Sequence, residues 1–547
     1  MTVMELNGRA IVRRWALAVG ARARHAWALV RGELLGHARE NVDAGWFTRT
    51  EVGAYDDTLA RDDAAALDQA TWRDLDLDAC LRGLADGASI FGRQYLYTRL
   101  RRGGDDAARS ALREVADATP AGTLDDIGRA CEALHRADVE PVHFIFQGRR
   151  ERLPAALRFA WTAGALWIAG LALLIAGMPN VAACAFAAYG ALHVILSLRY
   201  SAVLAHWKRQ VGATVAMLSA ARALNASGAR DAMLLAGVRR LDGPVQRLIG
   251  RLAPRAVECN AELLRALDVL ALYDYVVAAR RMARFDAAVD ELRAIYLEVA
   301  RAEGLAAVLA HVRRAPRMCW ATRGGPADVA LAGLVNPLLA RAEPLSFELH
   351  RPAVFLSGRN GVGKSTFLRA LGVNLAIARA FGFCYAESAR VPMLPVLTSV
   401  TIEDSLADGE SLYMAEMRRA ETLLRAVEQG PVVVLFDEIF RGTNGLESAS
   451  AAAAVLGWIA HRAVVVVSSH NLVLPTLLAD AFDCRQLVRA TRDAPPALVP
   501  GVLSDPNGIE MMEGYDIPAA IRAEARRIAG ALVEGLARAP RELPAQG

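Results

Sequence analysis

The sequence AVFLSGRNGVGKST, residues 353–366, decides the class of fold of the C-terminal part of the chain. Ala353–Leu356 is a short apolar run typical of a buried strand, and the residues after Gly363 predict a helix. The loop between them fits GxxxxGK[ST], in which backbone N–H groups converge on phosphate oxygens at a helix N-terminus. In this context we expect Lys364 to reach the β- and γ-phosphates and Ser365 to ligate Mg²⁺. The stretch therefore predicts an α/β nucleotide-binding domain.

A second apolar run, VVVLFDE at residues 432–438, places two carboxylates at the end of a predicted strand. Asp437 is suited to hold Mg²⁺ through a water molecule, and Glu438 is suited to activate water as a general base. A third predicted strand, Val464–Val467, ends three residues before His470. Since ligands bind at the carboxyl ends of parallel strands, His470 is a candidate sensor of the γ-phosphate.

Composition sets wide limits on the class of protein. The 547 residues carry a net charge of +4, and the hydrophobic content is 54%. This length predicts two to four domains, and so small a charge says little about nucleic acid. The mean hydropathy of +0.23 is high for a wholly soluble protein. The seven cysteines form no CxxC pair, so neither a zinc site nor a disulfide framework is indicated.

Two uncharged apolar stretches, Phe159–Met178 and Val181–Leu198, flank a Pro-Asn turn. As a helix, the first would span about 30 Å, the thickness of a bilayer core. Basic residues lie outside both stretches on the same side, which predicts a transmembrane hairpin with both ends in the cytoplasm. His193 would then be a snorkelling or helix-pairing residue. The alternative is a buried helical hairpin in a soluble core. Arginines interrupt the N-terminal apolar residues, so no signal peptide is expected.

The remaining pattern predicts a multidomain chain. Residues before and after the hairpin have helical periodicity, whereas short strands alternating with helices follow a linker at Arg323–Pro326. The predicted domains, in chain order, are an N-terminal helical segment at 1–65, a first helical core part at 66–156, the hairpin at 157–198, a second helical part at 199–322 and the α/β domain at 327–547.

Several motifs together resemble the MutS family of mismatch-repair ATPases. DEIFRGTNGLES, residues 437–448, is similar to the family's DEIGRGTSTYDG, and GRNGVGKST is similar to its GPNMGGKST. DSLADGESLYMAEM at 404–417 resembles DDLASGRSTFMVEM, and SSHNLVL at 468–474 resembles STHYFEL. Residues 501–528 look like the helical segment after the family's ATPase core. Thr71–Arg101 resembles the start of the family's helical core less closely. The family's S-x-x-G-x-x-x-L pattern is present there as Ser89, Gly92 and Leu96.

The resemblance implies an α-helical core and lever domain, here with an inserted transmembrane hairpin, followed by an ABC-like P-loop ATPase domain. It implies ATP and Mg²⁺ as cofactors, and a homodimer with composite ATP sites. Ser365 and Asp437 would hold the metal, and Glu438, His470 and Lys364 would be catalytic. Ser411 would reach the nucleotide of the partner subunit. The phosphate-binding residues would be Gly358, Asn360, Gly361, Gly363, Lys364, Ser365 and Thr366. Phe440 and Glu447 depart from the family pattern, which leaves the details of subunit coupling open.

Two functions remain open at this stage. The first is a membrane-anchored MutS-like ATPase that binds mismatched or branched DNA in repair, located in the inner (cytoplasmic) membrane with its ATPase domain in the cytoplasm. The second is a membrane-tethered mechanical ATPase that acts on a protein or membrane partner without recognising DNA. Against mismatch reading, the only Phe-x-Glu is Phe436–Glu438 in the predicted strand. The arginines at 280, 281 and 284 could contact phosphates or simply form a solvated helix face.

Overall fold

This computed structural model describes most of the chain between residues 47 and 537. The described residues are 47–59, 65–148, 152–229, 232–252, 267, 272–401, 412–471, 473–489, 494–503, 509–510, 512, 515 and 517–537, with side chains up to 529. Ser411 and most of the predicted N-terminal segment lie outside them.

The helices are labelled α1 to α18. In chain order they are Arg49–Gly53, Gln69–Asp74, Leu77–Leu84, Ile90–Arg102, Asp106–Ala118, Ala121–Cys131, Val142–Phe146, Gly164–Ile175, Pro179–Ala226, Ala236–Arg240, Asp242–Leu252, Tyr273–Asp286, Val289–Arg314, Lys364–Phe381, Leu412–Gln429, Gly445–Ala460, Leu474–Leu477 and Ala519–Ala537. Within the described residues, 3-10 helices cover Asp56–Thr58, Glu132–Arg136, Ala155–Ala163 and Met233–Leu235.

The strands are labelled β1 to β12. In chain order they are Cys319–Trp320, Thr322–Arg323, Ala330–Leu334, Leu345–Glu348, Ala353–Gly358, Phe383–Cys384, Ser388–Val391, Val396–Ser399, Val433–Asp437, Val464–Ser468, Asp483–Val488 and Ala497–Pro500. The predicted change from helices to alternating strands and helices is confirmed.

The chain divides into two compact units. The first contains residues 1–60, 85–97 and 118–310, and the second contains residues 61–84, 98–117 and 311–547. These units divide the chain differently from the predicted domains, whose boundaries stay a prediction.

A buried glutamate organises the core of the first unit. Glu303 on α13 accepts hydrogen bonds from the Ser89 hydroxyl at 2.6 Å and from the Gly92 N–H at 2.8 Å. It thereby caps the N-terminus of α4, whose first N–H groups have no partner within the helix. A Cβ atom at Gly92 would lie 2.9 Å from a Glu303 carboxylate oxygen. This close approach explains the serine–glycine spacing, and Leu96 one turn later is fully buried.

The two apolar stretches form adjacent helices in the first unit. A 3-10 helix at Ala155–Ala163 leads into α8, so the first stretch is not one regular α-helix, and α9 runs for 48 residues. The Trp167 ring lies 4.8 Å from that of Phe186 and 6.1 Å from that of Tyr189. The helical segments Ala155–Ile175 and Pro179–Ala226 are each long and apolar enough to cross a membrane, and only 6% and 11% of their most apolar windows are buried.

The second unit is an α/β domain with mixed sheets. Its six-stranded sheet has the order β12-β11-β5-β10-β9-β8, in which only the pairing of β12 with β11 is antiparallel. Smaller sheets have the orders β2-β7-β3-β4 and β1-β6. The three strands predicted from sequence are therefore the adjacent strands β5, β10 and β9.

Alternation along these strands builds two cores. Val354 and Leu356 pack with α14 on one face, whereas Phe355 packs with α16 on the other. This is the two-residue period expected of a sheet buried on both faces. The carboxyl ends of β5, β10 and β9 consequently stand side by side, with Ser468 level with Leu356 and Asp437.

Helix α2 belongs to this second unit. The Asp74 carboxylate accepts hydrogen bonds from the Thr398 hydroxyl at 2.7 Å and from the N–H groups of Val400 and Thr401 at 2.8 and 3.0 Å. Asp74 is 4% exposed, so these bonds are shielded from water. The residue fixes the end of β8, after which the chain enters the segment resembling the family's signature stretch.

Candidate nucleotide-binding site

The glycine-rich loop joins β5 to α14 and is preorganised by its backbone. Gly361 and Gly363 have φ angles of +76° and +107°, which L side chains rarely adopt. Gly363 caps α14, which begins at Lys364. Atoms added as Cβ at either glycine would meet nothing within 4 Å. The loop thus presents open space in front of the unpaired N–H groups of a helix N-terminus, the arrangement that favours a bound anion.

Lys364 is buried and makes protein contacts at this loop. Its ammonium donates to the Gly358 carbonyl oxygen at 3.0 Å and lies 3.0 Å from His470 Nε2. Burial lowers the pKa of Lys364, while the Glu438 and Asp437 carboxylates act in the opposite direction. Only 6% of the residue is exposed. A buried cation facing a glycine cradle fits a phosphate group as its partner.

The carboxylate of Glu438 is aimed at the end of the neighbouring strand. Its oxygens accept hydrogen bonds from the His470 N–H at 2.8 Å and from the Ser469 hydroxyl at 3.1 Å. Its own N–H donates to the Ser468 carbonyl at 2.8 Å. Glu438 has a φ of +64°. Such a conformation costs on the order of 1 kcal/mol or more in a non-glycine residue and is concentrated at functional sites.

His470 joins the lysine and the glutamate. Its Nε2 atom faces Lys364, while its backbone N–H binds Glu438. Burial and then the Lys364 charge lower the pKa of His470, against the opposing effect of Glu438 and Asp437. A neutral imidazole can accept a hydrogen bond at Nε2 from the Lys364 ammonium and keep its own proton on Nδ1.

The structure brings Lys364, Glu438 and His470 together. Asp437 ends β9 and acts electrostatically on both Lys364 and His470. Ser365 and Thr366 occupy the first turn of α14, and Asn360 lies in the loop before it. The roles of these residues stay a prediction. The predicted role of Ser411 falls outside the described residues.

The residues fit a magnesium–nucleotide complex better than a protein-only metal cage. Among the described residues, no group of three or more His, Cys, Asp or Glu side chains could hold a metal. Mg²⁺ retains water and is commonly held by one or two protein oxygens together with substrate phosphates. The Ser365 hydroxyl and the Asp437 carboxylate are the protein oxygens that could complete such a set.

The prediction from sequence missed one residue that shapes the site. Glu416 on α15 is 3% exposed and accepts hydrogen bonds from the N–H groups of Arg441 and Gly442 at 3.0 and 3.1 Å. It holds the turn that begins at Glu438, where Phe440 also has a positive φ of 55°. A Cβ at Gly442 would lie 2.6 Å from the Tyr413 nitrogen, so the turn is packed closely on α15. The signal was present as the acidic residue in MAEM, residues 414–417.

Comparison with known proteins matches this part of the chain to one family. A family model described as MutS domain V matches residues 354–532, which include every described residue of the candidate site. The DNA mismatch repair protein MutS of Thermus aquaticus is 30% identical over 197 residues, covering 35% of this chain and 24% of that protein. The protein of the same name from Synechococcus elongatus is 26% identical over 296 residues, covering 51% of this chain and 33% of its own length.

The α/β unit and its loop thus define a protein with a MutS-type C-terminal domain. Residues 354–532 match the MutS family, which confirms the resemblance seen in the sequence. The matches span about a quarter to a third of the length of these curated relatives.

Proposed function

We propose that this protein is a membrane-anchored MutS-like ATPase that binds and hydrolyses ATP with Mg²⁺. The observation that carries the proposal is the convergence of Lys364, Glu438 and His470 in front of a glycine-rich loop. The groups follow the carboxyl ends of three adjacent parallel strands, which is where nucleotides bind in α/β folds. Family membership supports the same activity.

The chain's own residues would act in the following way. The loop N–H groups and Lys364 hold the phosphates, for which Lys364 exchanges its bonds to Gly358 and His470 for charge-assisted bonds to phosphate oxygen. Mg²⁺, when bound, neutralises developing charge on the phosphates. Glu438 accepts a proton from the attacking water, and His470 contacts the γ-phosphate through its Nε2 atom.

Neighbouring donors hold the Glu438 carboxylate in position before nucleotide binds. Its oxygens are engaged by Ser469 and the His470 N–H, which stabilise the charged carboxylate in position. When Lys364 turns from His470 to a phosphate, the imidazole gains freedom to contact the same phosphate. Nucleotide binding and completion of the catalytic group would therefore be one rearrangement.

The ATPase proposal is tested by Mg²⁺-dependent ATP hydrolysis on detergent-purified protein. Lys364→Ala should lose nucleotide binding, because a buried cation and its phosphate contacts are removed. Arg462→Ala is a matched control that removes an exposed cation of the same unit, whose guanidinium donates to the Trp458 carbonyl oxygen at 2.9 Å. Equal turnover in wild type and Lys364→Ala would refute the assignment of the site.

The family names support DNA as a substrate, and the apolar hairpin favours a membrane role. We include homodimerisation with composite ATP sites, and binding of mismatched or branched DNA, in the first form of the proposal. The alternative is a mechanical ATPase acting on a protein or membrane partner without DNA. ATP turnover measured with mismatched, branched and homoduplex DNA across salt concentrations separates the two. Stimulation by one DNA form favours repair, whereas turnover indifferent to all three favours the mechanical role.

Membrane anchorage rests on the exposed apolar surface of the hairpin. Ile168, Ile175 and Leu198 are 73%, 80% and 82% exposed, and water would be a costly surrounding for them. We place the protein in the cytoplasmic membrane with the α/β unit in the cytoplasm. Carbonate extraction of cell membranes tests this placement: the full chain should stay in the pellet, and a chain lacking residues 157–200 should leave it. A full-length protein released by carbonate would contradict the anchor.

A further inference from the structure

Four exposed arginines surround the open end of the hairpin. Arg158 precedes the first apolar stretch, Arg199 follows the second, and Arg280 and Arg284 lie on α12. All four are exposed. Within the part of the chain that the structure describes, no carboxylate lies within ion-pair distance of any of them. We call this set the basic collar.

Contacts within the first unit connect the members of the collar. The Arg280 guanidinium donates to the Arg158 carbonyl oxygen at 3.3 Å, which places α12 beside the start of the hairpin. Arg284 is one helical turn from Arg280 and therefore shares its face of α12. Trp167 faces Tyr189 across the hairpin, so its two helices are antiparallel and Arg199 emerges at the same open end as Arg158.

Three acidic residues of the first unit are paired with other cations. Asp286 binds Arg152 at 3.1 Å, Asp138 binds Arg209 at 3.1 Å, and Asp274 binds Lys208. The collar therefore keeps its positive charge. Four like charges held at one end of a hairpin repel one another unless anions collect between them.

Aromatic side chains place the collar at a particular depth. Phe159 and Trp161 are 53% and 54% exposed beside Arg158, whose guanidinium lies 4.7 Å from the Phe159 ring centre. On the other helix Arg199 lies 5.7 Å from the Tyr200 ring centre. Aromatic rings at the end of an apolar stretch favour the boundary between hydrocarbon and headgroups.

We propose that the basic collar binds the phosphate groups of anionic phospholipids around the base of the hairpin. The inference rests on the proposed membrane insertion and adds a lipid class to it. A DNA backbone carries the same charge, but two of the four guanidiniums border the apolar stretches, each beside an aromatic ring. Phosphates of the surrounding headgroup layer are at that depth, and each guanidinium can donate two parallel hydrogen bonds to one of them.

The test uses the full-length protein in nanodiscs of mixed phosphatidylcholine and phosphatidylglycerol. Native mass spectrometry after release counts the retained molecules of each lipid. Wild type should retain phosphatidylglycerol preferentially, and Arg280→Gln with Arg284→Gln should reduce that preference roughly fivefold for each guanidinium removed. Arg240→Gln, an exposed arginine of the same unit outside the collar, should leave the preference unchanged.

The outcomes separate this inference from the proposals beneath it. Equal retention of both lipids by wild type, or an unchanged preference in the double variant, would overturn the lipid site alone. Release of phosphatidylglycerol by duplex DNA but not by glycerol phosphate would assign the collar to DNA and overturn the inference. Failure of the protein to enter nanodiscs of either lipid would overturn the membrane anchor and this inference with it. Unaltered ATP turnover in the double variant is expected in every case.

Discussion

Replacing Glu416 by alanine tests how the turn after β9 is held. The Glu416 carboxylate is buried and binds two consecutive N–H groups, those of Arg441 and Gly442. Its removal leaves both donors without this partner, and the turn that carries Glu438 loses its attachment to α15. We expect ATP turnover to fall while ATP affinity stays close to that of wild type, because the glycine-rich loop is untouched.

The size of the effect follows from the two bonds. A hydrogen bond to a charged group contributes about 1.5–3 kcal/mol, and water can replace part of it at the exposed turn. A net loss of about 2–3 kcal/mol is therefore reasonable for the two together. If the ordered turn is needed for hydrolysis, kcat should fall roughly 30-fold to 150-fold, since 1.4 kcal/mol is about a factor of 10. Glu416→Gln keeps one acceptor oxygen, so its kcat should lie between those of wild type and Glu416→Ala.

The assay is steady-state ATP hydrolysis at several ATP concentrations, so that kcat and KM are obtained separately. Glu421→Gln is the matched control on the same helix, because Glu421 is exposed and pairs only with Arg425 in the described structure. A kcat for Glu416→Ala within a factor of 2 of wild type would refute the positioning role. A large rise in KM with kcat unchanged would refute it as well.

Three further predictions concern the same unit. Asp74→Ala should lower the free energy of unfolding by roughly 3 kcal/mol, measured by urea denaturation, because three donors, two of them on buried residues, lose their acceptor; an unchanged midpoint would contradict this. Gly363→Ala should weaken ATP binding about tenfold in a calorimetric titration, since φ is +107° there; equal affinity would show that the loop relaxes freely. The pKa of His470 is lowered on folding, so its stabilising effect is complete above pH 6.5 and is lost as pH falls below that value; wild type should lose stability relative to His470→Gln only in that acid range, and parallel stability curves would contradict the pKa direction.

The sequence was informative where chemistry and local pattern coincide. The strand before the glycine-rich loop was predicted at Ala353–Leu356 and runs to Gly358, because the loop glycine still pairs with Leu487 of β11. The strand before the carboxylates was predicted at Val432–Phe436. It runs from Val433 to Asp437, one residue later at both ends. Apolar runs and glycine spacing are local properties, so they can be read without the fold.

The sequence was silent where a residue acts over a long distance. Asp74 and Thr398 are 324 residues apart, and Glu303 and Ser89 are 214 apart. Each carboxylate lies on a helix, and nothing in the neighbouring sequence distinguishes it from an ordinary surface charge. Only packing removes it from water and determines which N–H groups it must satisfy. Glu416 was missed for the same reason, although its segment was recognised as a motif.

The hairpin illustrates a different limit. Its length and apolar character were plain in the sequence, but the 3-10 geometry at Ala155–Ala163 was not. The packing of α12 against that segment was also unforeseen, since the arginines at 280 and 284 have the periodicity of any solvated helix face. Their relation to Arg158 depends on a tertiary contact between segments 122 residues apart.

The central claim is that the site at the carboxyl ends of β5, β9 and β10 hydrolyses ATP with Glu438 as the base. The most direct measurement is the identity of the nucleotide bound to Glu438→Gln and to wild-type protein after one round of ATP and Mg²⁺ loading in detergent. We predict that wild type converts its bound ATP to ADP, whereas Glu438→Gln binds ATP and retains it. Conversion to ADP at the same rate in both proteins, or no bound nucleotide in either, would contradict the account.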